Sequence, residues 1–261
     1  MRVRPAAVAG SFYPAAPGEL RGLVDALLDR AEPVSLPGMP RALIVPHAGY
    51  VYSGPVAATG FRALAESGLR PRRIVLIGPA HYVPFPGLAL SPAQAFATPL
   101  GLVPVDTGLC ERLAALSQVA FAAQPHAPEH ALEVELPFLQ RLFADLAILP
   151  LLFGGTSDAE TEEAIDRVWD EETLLLVSSD LSHYEPYERA KAHDRATAEA
   201  IERLDEEPIG PAEACGYRAI RALLRLARKR DLRPLRLDLR SSGDTAGDRS
   251  AVVGYGAWAF W

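Results

Sequence analysis

Four short apolar runs, at 42–46, 72–78, 146–153 and 174–177, are dominated by Leu, Ile, Val and Ala. Runs of this length and composition predict strands buried on both faces. Between them the periodicity changes. Leu20, Leu23, Val24, Leu27 and Leu28 recur at i, i+3, i+4, i+7 and i+8, which predicts an amphipathic helix over 17–30. Helices are also predicted over 55–67, 107–116, 187–205 and 213–230, and up to about 169 behind the capping box Ser157-x-x-Glu160. Within 125–143, Leu132, Leu136, Leu139 and Phe143 fall at helical spacing, and Pro137 either kinks that helix or marks its start. The segments 86–105, 235–239 and 250–261 read as short strands with loops, and 241–249 as a polar loop. Strand–helix alternation of this kind predicts an α/β fold. We expect a single domain over 1–261, with a largely parallel or mixed central sheet flanked by helices. The first two strands are expected to pair in parallel through a right-handed crossover.

Composition narrows the function classes. The chain has 261 residues, is 49% hydrophobic and carries a formal net charge of -7. That is enough apolar material for a sizeable core, and the acidic balance argues against a nucleic-acid partner. The arginines between 218 and 240 are the main basic concentration, and their helical setting makes them a solvated helix face. No apolar run approaches the roughly 20 residues of a membrane span, so no membrane association is expected. The first ten residues lack the apolar core of a signal peptide, which points to a cytoplasmic protein. Two cysteines, Cys110 and Cys215, are too few for a disulfide framework. Cys110 sits beside the apolar face of its helix and reads as a core residue.

Chemistry gathers where strands end. Pro46 closes the first strand and His47 follows it; Gly78-Pro79-Ala80-His81 repeats the same order after the second. The fourth strand runs into Ser178-Ser179-Asp180-Leu181-Ser182-His183. In open α/β sheets the ligand site lies just outside the carboxyl ends of the strands. Cys215 is expected in the first turn of a helix, where the dipole would lower its pKa and favour thiolate. Two imidazoles and one thiolate make a transition-metal site with an open position. Asp180, His183 and His130 are candidates for supporting those ligands or for general acid–base roles. Each residue also has a plain structural alternative: a histidine after a strand is often a turn residue, Cys215 a buried thiol and Asp180 a helix cap. Glu133 and Glu135 read as a solvated face, and His126 and His193 as surface residues.

Taken in order, Val45-Pro-His47-Ala-Gly-Tyr50-Val-Tyr52-Ser-Gly54, Gly78-Pro-Ala-His81, Glu129-His130-Ala-Leu-Glu133, Ser178-Ser-Asp180-Leu-Ser-His183 and Cys215-Gly216 resemble the motifs of the Memo family. Its prokaryotic members are called AmmeMemoRadiSam system protein B, and Ala7-Val-Ala-Gly-Ser-Phe-Tyr-Pro14 is similar to their opening segment. The resemblance spans nearly the whole chain. It implies a fold similar to class III, LigB-type, extradiol dioxygenases. It implies His47, His81 and Cys215 as metal ligands, with Asp180 and His183 in the same pocket and His183 as an acid–base group. The implied metal is iron first, with copper or zinc as alternatives, and the implied ligand is a small molecule or a peptide. A partner from a radical-SAM system is implied by the family's name. The dioxygenases carry a carboxylate where this chain offers Cys215, and a thiolate is softer and itself oxidisable. Two functions follow as expectations: a metal-dependent redox enzyme, or a metal- or peptide-binding partner protein without turnover.

Overall fold

The computed structural model describes residues 1–245 and 247–261. In chain order the first half contains β1 (Val3–Arg4), α1 (Pro17–Arg30), β2 (Ala42–Val45), α2 (Gly54–Glu66), β3 (Arg73–Pro79), β4 (Leu88–Leu90), β5 (Ala95–Thr98), β6 (Gly101–Pro104), α3 (Thr107–Leu113), β7 (Val119–Phe121) and α4 (Ala123–His126). A 3-10 turn at Glu133–Glu135 leads into α5 (Leu136–Leu142), followed by β8 (Ala147–Phe153), α6 (Asp158–Val168) and β9 (Thr173–Ser178). The chain closes with β10 (His183–Glu185), α7 (Tyr187–Glu202), α8 (Tyr217–Lys229), β11 (Pro234–Ser241), α9 (Ser242–Thr245) and β12 (Val252–Phe260). Of the polar loop expected over 241–249, residues 242–245 form α9, and Ala246 lies outside the described residues.

The main sheet runs β10-β12-β2-β9-β3-β8-β4-β7, with β11 on the other edge of β12. Its centre, β2-β9-β3-β8, is parallel throughout. Antiparallel neighbours, β12 beside β2 and β4 beside β8, make the whole sheet mixed. The fold is therefore α/β with a mixed sheet flanked by helices. One expectation fails in detail. β2 and β3 do not pair with each other; β9 stands between them and pairs with both. β9, like β2, is buried at every residue, which suits a place in the sheet with neighbours on both edges.

The helices cover the sheet in two groups. The crossover β2–α2–β3 moves one way across the sheet and β8–α6–β9 moves the other. Right-handed crossovers in opposite directions put their helices on opposite faces. Accordingly α1, α2 and α5 pack together, while α6 packs on α8 and α3. Local signals set the ends. Ser157 and Glu160 form the reciprocal capping box at the start of α6, and Pro137 sits in the first turn of α5, so it starts that helix instead of kinking it. Cys110 is buried in the core. A smaller sheet, β1-β5-β6, holds the N-terminal strand. No helix among the described residues is long and apolar enough to cross a membrane.

Candidate metal centre

The carboxyl ends of β2, β9 and β3 share one edge of the sheet, and the candidate residues stand there. Pro46 has no N–H, so the β2 ladder ends at Val45 and His47 leaves the sheet at once. His81 follows the end of β3 at Pro79 by two residues. Segment 129–135 lies against these ends, fastened by the hydroxyl of Ser178, 2.6 Å from the Ala131 carbonyl. It delivers His130 to the same place.

The three histidines meet. Ring centroids are 5.1 Å apart for His47 and His81, 5.4 Å for His47 and His130, and 4.6 Å for His81 and His130. One ring nitrogen from each lies within 4.8 Å of the others, so the cluster can hold a metal ion. Metal–nitrogen bonds of about 2.0–2.1 Å put ligand nitrogens roughly 3–4 Å apart, within reach of small ring rotations. The donor set fits a divalent transition metal.

The outer side of each ring is anchored. The backbone N–H of His47 donates to Asp180 Oδ1 at 2.8 Å, and its Nδ1 lies 2.7 Å from Ser178 Oγ. The His81 backbone N–H donates to Glu129 Oε2 at 2.6 Å, and its Nδ1 is 2.9 Å from Oε1. That same carboxylate accepts the amides of His130 (3.0 Å) and Ala131 (2.9 Å). Burial alone would push the Glu129 carboxyl up, but the hydrogen bonds from His81 and Ala131 prevail and hold it at about 2. Being ionised, it receives the Nδ1 proton of His81 and leaves the Nε2 lone pair free to ligate. His130 is stacked on His81 and packed 4.6 Å from the Phe12 ring, with Tyr82 Oη 3.2 Å from its Nδ1. Burial and then His47 bring His130 down to about 4; burial and then His81 lower His47 well below its ordinary value. Both are neutral near pH 7, the form that binds metals.

Cys215 touches this group through His47 and is not among the residues whose ligand atoms all lie within 4.8 Å of one another; His130 takes the third place expected for it. Its Sγ is 3.3 Å from His47 Nε2 and accepts the Asp180 N–H at 3.2 Å. It precedes α8 by two residues and so lies outside the first turn, where the dipole acts. Burial, with Asp180 nearby, pushes its thiol pKa up, opposite to the expected fall. Gly216 makes the approach possible: a Cβ there would come within 2.4 Å of Ser179 Cβ. Asp180 is buried and caps no helix; it ties the His47 backbone to the Cys215 loop, whose N–H reaches its carbonyl at 3.3 Å. Burial raises its carboxyl pKa. His183 lies outside the three-histidine group, exposed on β10 with its ring edge-on to Tyr184 at 5.9 Å, yet near enough to lower the pKa of His47 and to oppose the rise in that of Asp180. Tyr184 takes a left-handed φ of 59° at the irregularity between β10 and β12, an uncommon conformation for a non-glycine residue.

Three expectations about neighbouring residues are overturned. His126 is buried, with Nε2 3.0 Å from the Ala89 carbonyl, because α4 turns it inward against β4. Glu133 and Glu135 are fully buried, not solvated. Glu133 takes the Arg4 guanidinium, the Tyr13 hydroxyl and the amides of Ala7 (2.7 Å) and Val8 (3.0 Å), pinning the N-terminal segment beside the site. Glu135 Oε1 lies 3.1 Å from Ser178 Oγ. His193 is half-buried between Glu185 (3.4 Å) and Glu213 (3.2 Å). Sequence reasoning passed over Glu129, Ser178 and Glu135 as supports. Their signal was three glutamates interleaved with Ala131, Leu132, Val134 and Leu136, a density of acids that an apolar segment does not carry without partners.

A cleft of about 710 Å³ opens from His81 and Cys215 and is walled by Pro79, Pro84, Phe85 and Phe153. The cluster therefore adjoins a space with apolar walls and few charges, of a size for a small ligand.

A family model described as Memo-like protein matches residues 4–259. The chain is 35% identical over 284 residues to a MEMO1 family protein of Metallosphaera sedula, covering 100% of this chain and 99% of that one. It is 37% identical over 286 residues to one of Ignicoccus hospitalis, covering 100% and 99%. A third, from Thermotoga neapolitana, is 36% identical over 276 residues, covering 97% and 98%. Among solved structures, the uncharacterized protein JW3007 of Escherichia coli K12 has a similar fold, with TM-score 0.53 at 16% identity over 85% of this chain and 99% of that one.

Proposed function

Because the chain belongs to the Memo family and brings His47, His81 and His130 into one cluster, we propose that it is a cytoplasmic, metal-dependent redox protein acting on a small oxidisable molecule. His47, His81 and Cys215 hold the metal, and His130 stands on the nitrogen side of the same site. Iron is the favoured occupant; copper and zinc also suit the donors. The reading is carried by the convergence of imidazoles whose outer nitrogens are occupied by Glu129, Ser178 and Tyr82. The 3.3 Å between Cys215 Sγ and His47 Nε2 matches two ligand atoms sharing one ion at bonds of about 2.0–2.3 Å. Cys215 would bind as the thiolate, giving up its proton, and an iron or copper ion held there would supply Lewis-acid and redox chemistry. The chain supplies the rest. Glu129 fixes two of the rings, Asp180 joins the His47 and Cys215 segments, and Phe85 and Phe153 offer apolar walls to the substrate. Asp180 and His183 handle protons.

Metal analysis of the protein purified without chelators, beside His47→Ala, His130→Ala and Cys215→Ala, tests the ligand set. Wild type should carry close to one metal per chain and His47→Ala and Cys215→Ala almost none, with His130→Ala intermediate. Equal content in all four proteins would refute the site. Anaerobic loading with iron(II), then oxygen uptake against a panel of catechols and other small phenols, tests turnover. The family resemblance favours a second reading, a binding protein without turnover: it sets Cys215 against the carboxylate of the extradiol dioxygenases. Iron bound with no uptake on any substrate decides for it.

A further inference from the structure

Ser178 Oγ, directly beneath His47, has three polar neighbours. His47 Nδ1 is at 2.7 Å, the Ala131 carbonyl at 2.6 Å and Glu135 Oε1 at 3.1 Å. A hydroxyl has one proton to give and two lone pairs to offer. The Ala131 carbonyl can only accept, so the Ser178 proton goes there. The other two neighbours must then donate to Ser178. His47 does so with Nδ1–H. Glu135 can do so only as a carboxylic acid.

We infer that Glu135 is a buried neutral carboxylic acid whose O–H, through Ser178, holds His47 in the Nδ1–H tautomer and so turns its Nε2 lone pair toward Cys215 and the cluster. Were Glu135 ionised, one Ser178 proton would face two acceptors. One close oxygen–oxygen contact would then lack a proton, at the cost of an unsatisfied buried group. The surroundings agree with the neutral form. Glu135 is completely buried, and no basic side chain pairs with it among the described residues. Burial pushes its carboxyl well up, the Ser178 contact opposes this, and Asp180 adds to the rise. Glu135 is thus a positioning residue, two hydrogen bonds away from a ligand. The part concerning Nε2 rests on the metal-centre reading; the protonation of Glu135 does not.

The decisive variant is Glu135→Gln, whose amide N–H can donate to the same oxygen while never ionising. In metal-free protein at pH 7, infrared difference spectroscopy between wild type and Glu135→Gln should show the carboxylic acid C=O band, shifting in D2O. Nitrogen-15 NMR should show His47 protonated at Nδ1 in both proteins. Cobalt(II) titration should give affinities within about twofold for the two. Ser178→Ala removes the relay and should weaken cobalt(II) binding about 10- to 100-fold, with a mixed His47 tautomer. Absence of the acid band would overturn the inference. So would a loss in Glu135→Gln as large as in Ser178→Ala, which would make the charge of Glu135 the important feature. If the band and the tautomer are as expected but no variant alters cobalt(II) binding, the assignment of Glu135 stands and the metal-centre reading falls.

Discussion

Two groups of polar side chains show how differently the same chemistry can be used. On the face shared by α6 and α8, Asp158 accepts from Arg218 and Arg221, both at 2.7 Å, and from Arg225 at 3.4 Å. Glu206 accepts from Arg225 at 3.1 Å and from Arg228. Each charge faces its opposite in partly solvated surroundings, and the group satisfies itself. At the strand ends the members are alike: three imidazoles, a thiol and buried acids. His47 and His81 depress one another's neighbours, and burial pushes Asp180, Glu135 and Cys215 toward their neutral forms. Such a cluster gives up solvation for few counter-charges, the ionised Glu129 being the exception. Clusters of that kind mark sites that bind something.

Breaking a deeply buried ion pair should have the largest effect and sharpen the contrast with the α6–α8 face. Arg4 and Glu133 pair with almost no exposure. Arg4→Met strands the carboxylate and should cost about 3–5 kcal/mol in urea unfolding; a loss below about 1 kcal/mol would put the pair among ordinary surface contacts. The next effect is on pH. Burial brings His126 down to about 4, against an unfolded value near 6.5. Between these values the unfolded chain binds the extra proton, so stability falls as pH falls from 6.5 to 4, by up to about 3 kcal/mol from this residue. His126→Gln, which keeps a donor for the Ala89 carbonyl, should make the fall of the unfolding midpoint over that window shallower, with His47 and His130 supplying the rest, and an unchanged slope would contradict the assignment.

Glu129→Gln should weaken cobalt(II) binding about 10- to 100-fold and also cost about 2–3 kcal/mol in unfolding, because the Gln amide cannot accept all the donors that the buried carboxylate takes. A loss of stability with unchanged cobalt(II) binding would make Glu129 a structural residue alone. The smallest effect belongs to the arginine face. Asp158→Asn should cost about 1 kcal/mol, and less in high salt, with no change in metal binding. Should it alter metal binding, the two regions would be coupled and the contrast between them would fail.

How far each feature could be read from the chain follows the range of the interactions behind it. α1 spans the predicted residues 17–30, because its apolar stripe lies within one element. The capping box at Ser157 and the start of α5 at Pro137 are set by contacts three or four residues apart, or by a missing N–H. His47 and His81 were placed beyond strand ends by the same local logic. Glu133 was misread because its partners, Arg4 and Tyr13, are more than a hundred residues away. Cys215 was misread because the dipole argument needed a helix bound correct to two residues.

The sequence by itself determined the alternation of buried strands and amphipathic helices, the turns that expose residues after each strand, and the inventory of groups able to bind a metal. These depend on backbone periodicity and neighbouring side chains. Only the tertiary structure decided that β9 separates β2 from β3, that segment 129–135 brings His130 to His81, and that three glutamates close in sequence serve three ends. Glu129 orients two histidines, Glu133 pins the N-terminus, and Glu135 lies beneath Ser178. A buried carboxylate is tolerated only where donors from elsewhere in the chain reach it, and no local pattern records where those donors come from.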